Sequence, residues 1–124
     1  MKDNRPVNLD IGTIRLPITA YASILHRVSG VIMVVASFLL LWALEQSLAS
    51  PEGFASLGEL LANPLVKFVV WGIATALIYH SLAGVKHLIM DFGIGETMEG
   101  GTLGARLVFG FTAVSAVLVG VALW

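Results

Sequence analysis

Three stretches of the sequence, residues 28–44, 68–85 and 107–124, contain no Asp, Glu, Lys or Arg. Each holds about 17–18 residues and would span about 26–27 Å as an α-helix. That nearly matches the ~30 Å hydrocarbon core of a bilayer, and flanking residues supply the rest. The apolar positions run continuously, as in Val31-Ile32-Met33-Val34-Val35, instead of alternating as in the strands of a membrane barrel. A spanning segment must satisfy its backbone polar groups internally, so the pattern predicts helices. The expected fold is all-α and membrane-embedded, with three transmembrane helices at about 20–48, 64–91 and 104–124 in a single domain, 1–124.

Local punctuation sets these boundaries. Pro17 stands before helix 1, with Thr19 or Ser23 near its start. Ser50-Pro51-Glu52-Gly53 is turn chemistry and predicts a loop after helix 1. Asn63-Pro64 opens helix 2, and Gly93, Gly95, Gly100 and Gly101 break the chain before helix 3. In helix 3, Gly110, Ala113, Ala116 and Gly120 form a stripe of small residues suited to close helix packing.

Charge adds an orientation. Only 12% of residues are charged, against roughly 25% in soluble domains. Lys2, Arg5, Arg15 and Arg27 lie in the N-terminal part, and Lys86 and Arg106 flank the second connection. The first connection is acidic, with Glu45, Glu52 and Glu59 and only Lys67 at its edge. The cation-rich side is expected to be cytoplasmic, which places Trp124 at the periplasmic interface. The first 27 residues are polar and mixed, unlike a cleavable signal peptide. Asp3 and Asp10 among the first cations argue against an organellar transit peptide, so insertion into a bacterial inner membrane is expected. The net charge of −1 makes no case for nucleic acid, and the absence of cysteine removes disulfides, thiolate zinc and self-ligated iron–sulfur clusters.

The orientation gathers the polar residues near one face. Ser23, His26 and Arg27 begin helix 1 there, and His80, Lys86, His87 and Asp91 lie towards the end of helix 2. His80 precedes Lys86 by about 9 Å of helix, at a depth where ionisable residues are rare. It suits either an interhelical hydrogen bond or axial ligation of haem iron, and Ala76 and Gly84, one turn away on the same face, leave room for a flat ring. A bis-histidine haem needs its second ligand from another polypeptide. His87 and Asp91 suit an interfacial hydrogen-bonded pair or a link between a cofactor and solvent. His80 and His87, about 10 Å apart, are too distant for one metal ion. Ser23 and Arg27, one turn apart, offer a hydroxyl and a cation to a ligand with carbonyl oxygens and an apolar tail. Each also has a plainer role, as a helix-start residue and an anchoring cation. His26, beside Gly30, lies on an adjacent face that can point elsewhere, towards an anionic group.

Three segments carry a family resemblance: Arg5-Pro6-Val7-Asn8-Leu9-Asp10, Ser23-Ile24-Leu25-His26-Arg27-Val28-Ser29-Gly30, and His80 through Asp91 with His87 between them. Together they resemble the cytochrome-b membrane-anchor subunit of succinate dehydrogenase over essentially the whole chain. The resemblance implies a heteromeric helical bundle with a second anchor subunit, which supports an iron–sulfur subunit and a flavoprotein on the cytoplasmic face. It implies haem b between the anchors, with His80 as an axial ligand of the iron and His26 and Arg27 at the propionates. It implies ubiquinone as substrate, bound by Ser23 and Arg27. The chain alone is then not an enzyme, but a subunit of one. Position 86 is Lys where the resemblance leads to Arg, and lysine lacks the planar bidentate contact to a carboxylate. The alternatives are a fumarate reductase anchor that uses menaquinone and a cofactor-free structural anchor.

Overall fold

The computed structural model describes residue 12 and residues 14–124. The Arg5–Asp10 segment and the cations Lys2 and Arg5 lie outside the described residues. Four helices follow one another: α1 (Ile18–Ala49), α2 (Pro51–Ala62), α3 (Pro64–Asp91) and α4 (Met98–Leu123). Three of them, α1, α3 and α4, are long and apolar enough to cross a membrane. No strand occurs among the described residues. The 32 residues of α1 measure about 48 Å, so that helix tilts or extends beyond the hydrocarbon layer.

The expected loop after helix 1 is a helix instead. Ser50 caps α2 by accepting a hydrogen bond from the Gly53 backbone N–H at 2.9 Å, and Pro51 takes the first helical position. A serine and a proline side by side suit a turn and a helix start equally well. Gly53 is needed there, because a Cβ would lie 2.5 Å from the Gln46 carbonyl oxygen of α1. At α3, Asn63 caps by accepting from the Leu65 N–H at 2.9 Å.

The last helix begins at Met98, six residues before the expected position 104. Thr97 accepts from the Gly100 N–H at 3.0 Å and starts it. Only Gly93 (φ 81°) and Gly95 (φ 72°) use left-handed backbone in the connection. Gly100 and Gly101 are helical and serve close approach: a Cβ on Gly100 would lie 2.8 Å from the Gly95 Cα, and one on Gly101 would lie 3.5 Å from the Thr19 methyl.

The core is small and built around Tyr79, Ala83 and Val108, with Leu82 and Phe109 against it. Tyr79 stacks on Phe109, centroids 5.6 Å apart, and donates its hydroxyl to the Ala22 carbonyl at 2.6 Å. Buried Ala22, Ala36 and Ala105 let the helices approach closely. The expected small-residue stripe is only half right. Ala116 accepts a hydrogen bond from the Trp71 indole N–H at 2.8 Å, and Gly120 faces the same ring. Gly110 and Ala113 are exposed, and the contact stripe runs through Gly101, Ala105 and Val108. Large apolar side chains such as Phe38, Leu40, Val117 and Val121 face outwards, as suits lipid or a neighbouring helix.

Candidate functional site

The polar cluster forms where α1 meets α3. His26 and Ser29 lie one helical turn apart on α1, and His80 and His87 lie about two turns apart on α3. The His26 and His80 rings stack, with centroids 4.3 Å apart and planes 14° apart. His87 meets His26 edge-on, with centroids 5.1 Å apart and planes at 72°. His26 therefore faces α3; the expectation that it could point elsewhere does not describe its position.

His80 is held through one ring nitrogen. Its Nδ1 lies 3.1 Å from the His26 carbonyl oxygen and 3.0 Å from the Ser29 hydroxyl. Ser29 also donates to the His26 carbonyl at 2.8 Å. Gly30 makes the ring's position possible, since a Cβ there would lie 3.2 Å from the His80 Cε1. Gly84 plays a looser part opposite His26, with 3.7 Å from its Cβ position to the His26 Cε1. His26 Nδ1 is buried and has no hydrogen-bond partner among the described residues.

The remaining expected site residues sit nearby without joining these contacts. Ser23 is half-buried and Arg27 exposed, both on α1 next to His26. Among the described residues, neither has a hydrogen-bond or ion-pair partner. Asp91 is the exposed last residue of α3, and among the described residues it makes no hydrogen bond or ion pair with His87. The Lys86 stem lies against Gly104 of α4, 3.1 Å from a Cβ placed there, and so turns away from the histidines. Among the described residues, no group of three or more His, Asp or Glu side chains could hold a metal ion.

Ser29 is the residue that sequence reasoning passed over. Its signal was its place: three residues after His26 and beside Gly30, it shares the inward face of α1.

The family of transmembrane subunits of succinate dehydrogenase and fumarate reductase matches residues 1–120. A succinate dehydrogenase cytochrome b556 subunit from Coxiella burnetii is 38% identical over 125 residues, covering 100% of both chains. The Paracoccus denitrificans subunit of the same name is 32% identical, across 94% of this chain and 90% of that one. A mitochondrial cytochrome b560 subunit of succinate dehydrogenase from Sus scrofa is also 32% identical, across 92% of this chain and 69% of that one. With three membrane-crossing helices, a histidine cluster between two of them and a match along nearly its whole length, the chain belongs to the succinate dehydrogenase cytochrome b membrane-anchor family.

Proposed function

We propose that this chain is one half of the haem-holding anchor of a succinate:ubiquinone oxidoreductase and forms part of its quinone site. The observation that carries this reading is the state of His80. A backbone carbonyl can only accept, so the contact with the His26 oxygen at 3.1 Å requires the proton on Nδ1. Nε2 then carries the lone pair, the form in which imidazole ligates iron. When bound, haem b would take up and release single electrons at that point. The rest of the cluster suits the group. The unpartnered, buried Nδ1 of His26 is open to a propionate, with Arg27 one residue on as the cation beside it. His80 would hold the haem from this chain, and a second anchor subunit would hold it from the other side.

Ser23 and Arg27 are assigned to ubiquinone. Three serines of α1 spend their hydroxyls on their own helix: Ser29 on His26, Ser37 on Met33 and Ser47 on Leu44. Ser23 does not, and its hydroxyl is left to donate to a quinone carbonyl. The Arg27 guanidinium stabilises the negative charge that grows on that oxygen during reduction, an effect that is large in a low-dielectric site.

The expected orientation supports the same assembly. Arg15 and Arg27 near the start of α1, with Lys86 and Arg106 around the α3–α4 connection, favour the cytoplasmic face of a bacterial inner membrane for that end. Glu45, Glu52 and Glu59, near and within α2, favour the periplasm for the other end, with Trp124. The iron–sulfur and flavoprotein subunits then dock on the cytoplasmic side. The family description names fumarate reductase as well, but the relatives compared carry the succinate dehydrogenase name, which favours succinate oxidation.

The test is an optical spectrum of the purified complex, reduced by succinate, with and without a quinone-site inhibitor. A b-type spectrum is expected, and its rate of reduction by succinate should respond to the inhibitor. An intact complex without haem bands overturns the reading in favour of a purely structural anchor.

A further inference from the structure

We infer that Ser29 is a positioning residue for the haem ligand: its buried hydroxyl fixes the tautomer and tilt of the His80 ring and strengthens Nε2 as a donor to iron. The inference rests on the haem-ligand role of His80 proposed above.

Ser29 is 4% exposed and is the one buried polar residue among the described residues. A serine inside a helix commonly bonds back to its own backbone and stops there. Ser37 and Ser47 do this at exposed positions. Ser29 bonds back to His26 at 2.8 Å and also reaches across to His80 of α3 at 3.0 Å.

Counting protons assigns each partner its role. A hydroxyl has one proton and two lone pairs. The His26 carbonyl can only accept, so the Ser29 proton goes to it. The Ser29 oxygen is left to accept from His80, which puts the proton on Nδ1. The His26 carbonyl also faces Nδ1, at 3.1 Å, and requires the same tautomer. That carbonyl is over-subscribed, however. Inside α1 it takes the helical N–H, and both the Ser29 hydroxyl and the His80 N–H approach its remaining capacity. The Ser29 oxygen therefore supplies the second acceptor that Nδ1–H needs.

Geometry points the same way. Cε1 of His80, bonded to Nδ1, occupies the space that a side chain at position 30 would need, 3.2 Å from where its Cβ would stand. Ser29 thus holds one atom of the ring edge while the bare Gly30 leaves room for the next, and both act from a single turn of α1. A hydrogen bond at the far nitrogen of a ligating histidine fixes the ring and raises its basicity. A more basic axial ligand favours the oxidised iron and lowers the potential.

The experiment compares wild type, Ser29→Ala, Ser29→Thr and His80→Leu in the complete complex, by redox titration of the haem absorbance and by electron paramagnetic resonance of the oxidised haem. Ser29→Ala should raise the midpoint potential and move the low-spin g-values. Ser29→Thr, which keeps the hydroxyl, should return both towards wild type. If Ser29→Ala assembles without haem, recovery of haem in Ser29→Thr supports the same role. An unchanged potential and spectrum in Ser29→Ala overturns the inference, as does an equal shift or loss in both Ser29 variants. His80→Leu separates the two claims: if it keeps the wild-type haem signal, the ligand assignment itself falls.

Discussion

The imidazole of His26 lies over that of His80 at 4.3 Å, nearly parallel, while its backbone carbonyl faces the His80 Nδ1 at 3.1 Å. One residue of α1 therefore meets the same ring twice, once through its face and once through its edge. Removing the side chain takes away the first contact and spares the second. His26→Ala is accordingly expected to retain haem with a shifted spectrum, whereas His80→Leu is expected to lose it. Haem content per assembled complex, measured after denaturation, distinguishes the two; equal loss in both would reject the assignment of His80 as the ligand.

Gly30 and Gly72 give a matched pair of glycine substitutions. A Cβ on Gly30 would press on His80 at 3.2 Å, whereas one on Gly72 meets nothing within 4 Å. Gly30→Ala should disturb the haem absorbance and potential. Gly72→Ala should leave both unchanged and favour the helix by about 0.5–1 kcal/mol, the usual penalty of a mid-helix glycine. The haem spectra of the two variants, recorded side by side, provide the check.

For the quinone site, Ser23→Ala and Arg27→Ala should each slow succinate-driven ubiquinone reduction. A hydrogen bond to a charged group is worth about 1.5–3 kcal/mol, which corresponds to about 10–160-fold in rate. Succinate oxidation by an artificial acceptor that takes electrons from the flavoprotein should stay at the wild-type rate. Normal ubiquinone reduction in Arg27→Ala would remove it from the site.

Tyr79→Phe tests the seam between α1 and α3 without touching the histidines. The ring keeps its stacking on Phe109, and only the 2.6 Å bond to the Ala22 carbonyl is lost. A loss of about 0.5–1.5 kcal/mol is expected, read as a lower midpoint in thermal unfolding of the solubilised complex. Haem content should not change.

The three spans and the starts of α1 and α3 were legible because long apolar runs, Pro17 and Asn63-Pro64 act through local chemistry. The place of His80 in a polar cluster between helices was legible because an imidazole deep in an apolar run demands a partner. The helix α2 was not, since Ser50-Pro51 reads alike as turn and helix cap and the acidic Glu52 and Glu59 resemble a solvated loop. The first turn of α4 was hidden by Gly100 and Gly101, which serve close packing and not chain reversal. Ser29 was missed because helical spacing gives a direction on a cylinder but not the neighbour met there. Its role exists only once α1 and α3 are placed side by side, and the same holds for the contact stripe on α4.

The last helix contributes no group to the histidine cluster, yet it grips α3 at two levels. Trp71 is tied to the Ala116 carbonyl near one end, and the Lys86 stem lies across Gly104 near the other. These attachments are about 22 Å apart along α3. Two attachments so far apart resist turning of α3 against α4 better than either would alone. Rotating α3 by a single residue, about 100°, would carry His80 off the face of α1. In mechanical terms α4 is a spline, and what it preserves is the angular setting of one imidazole.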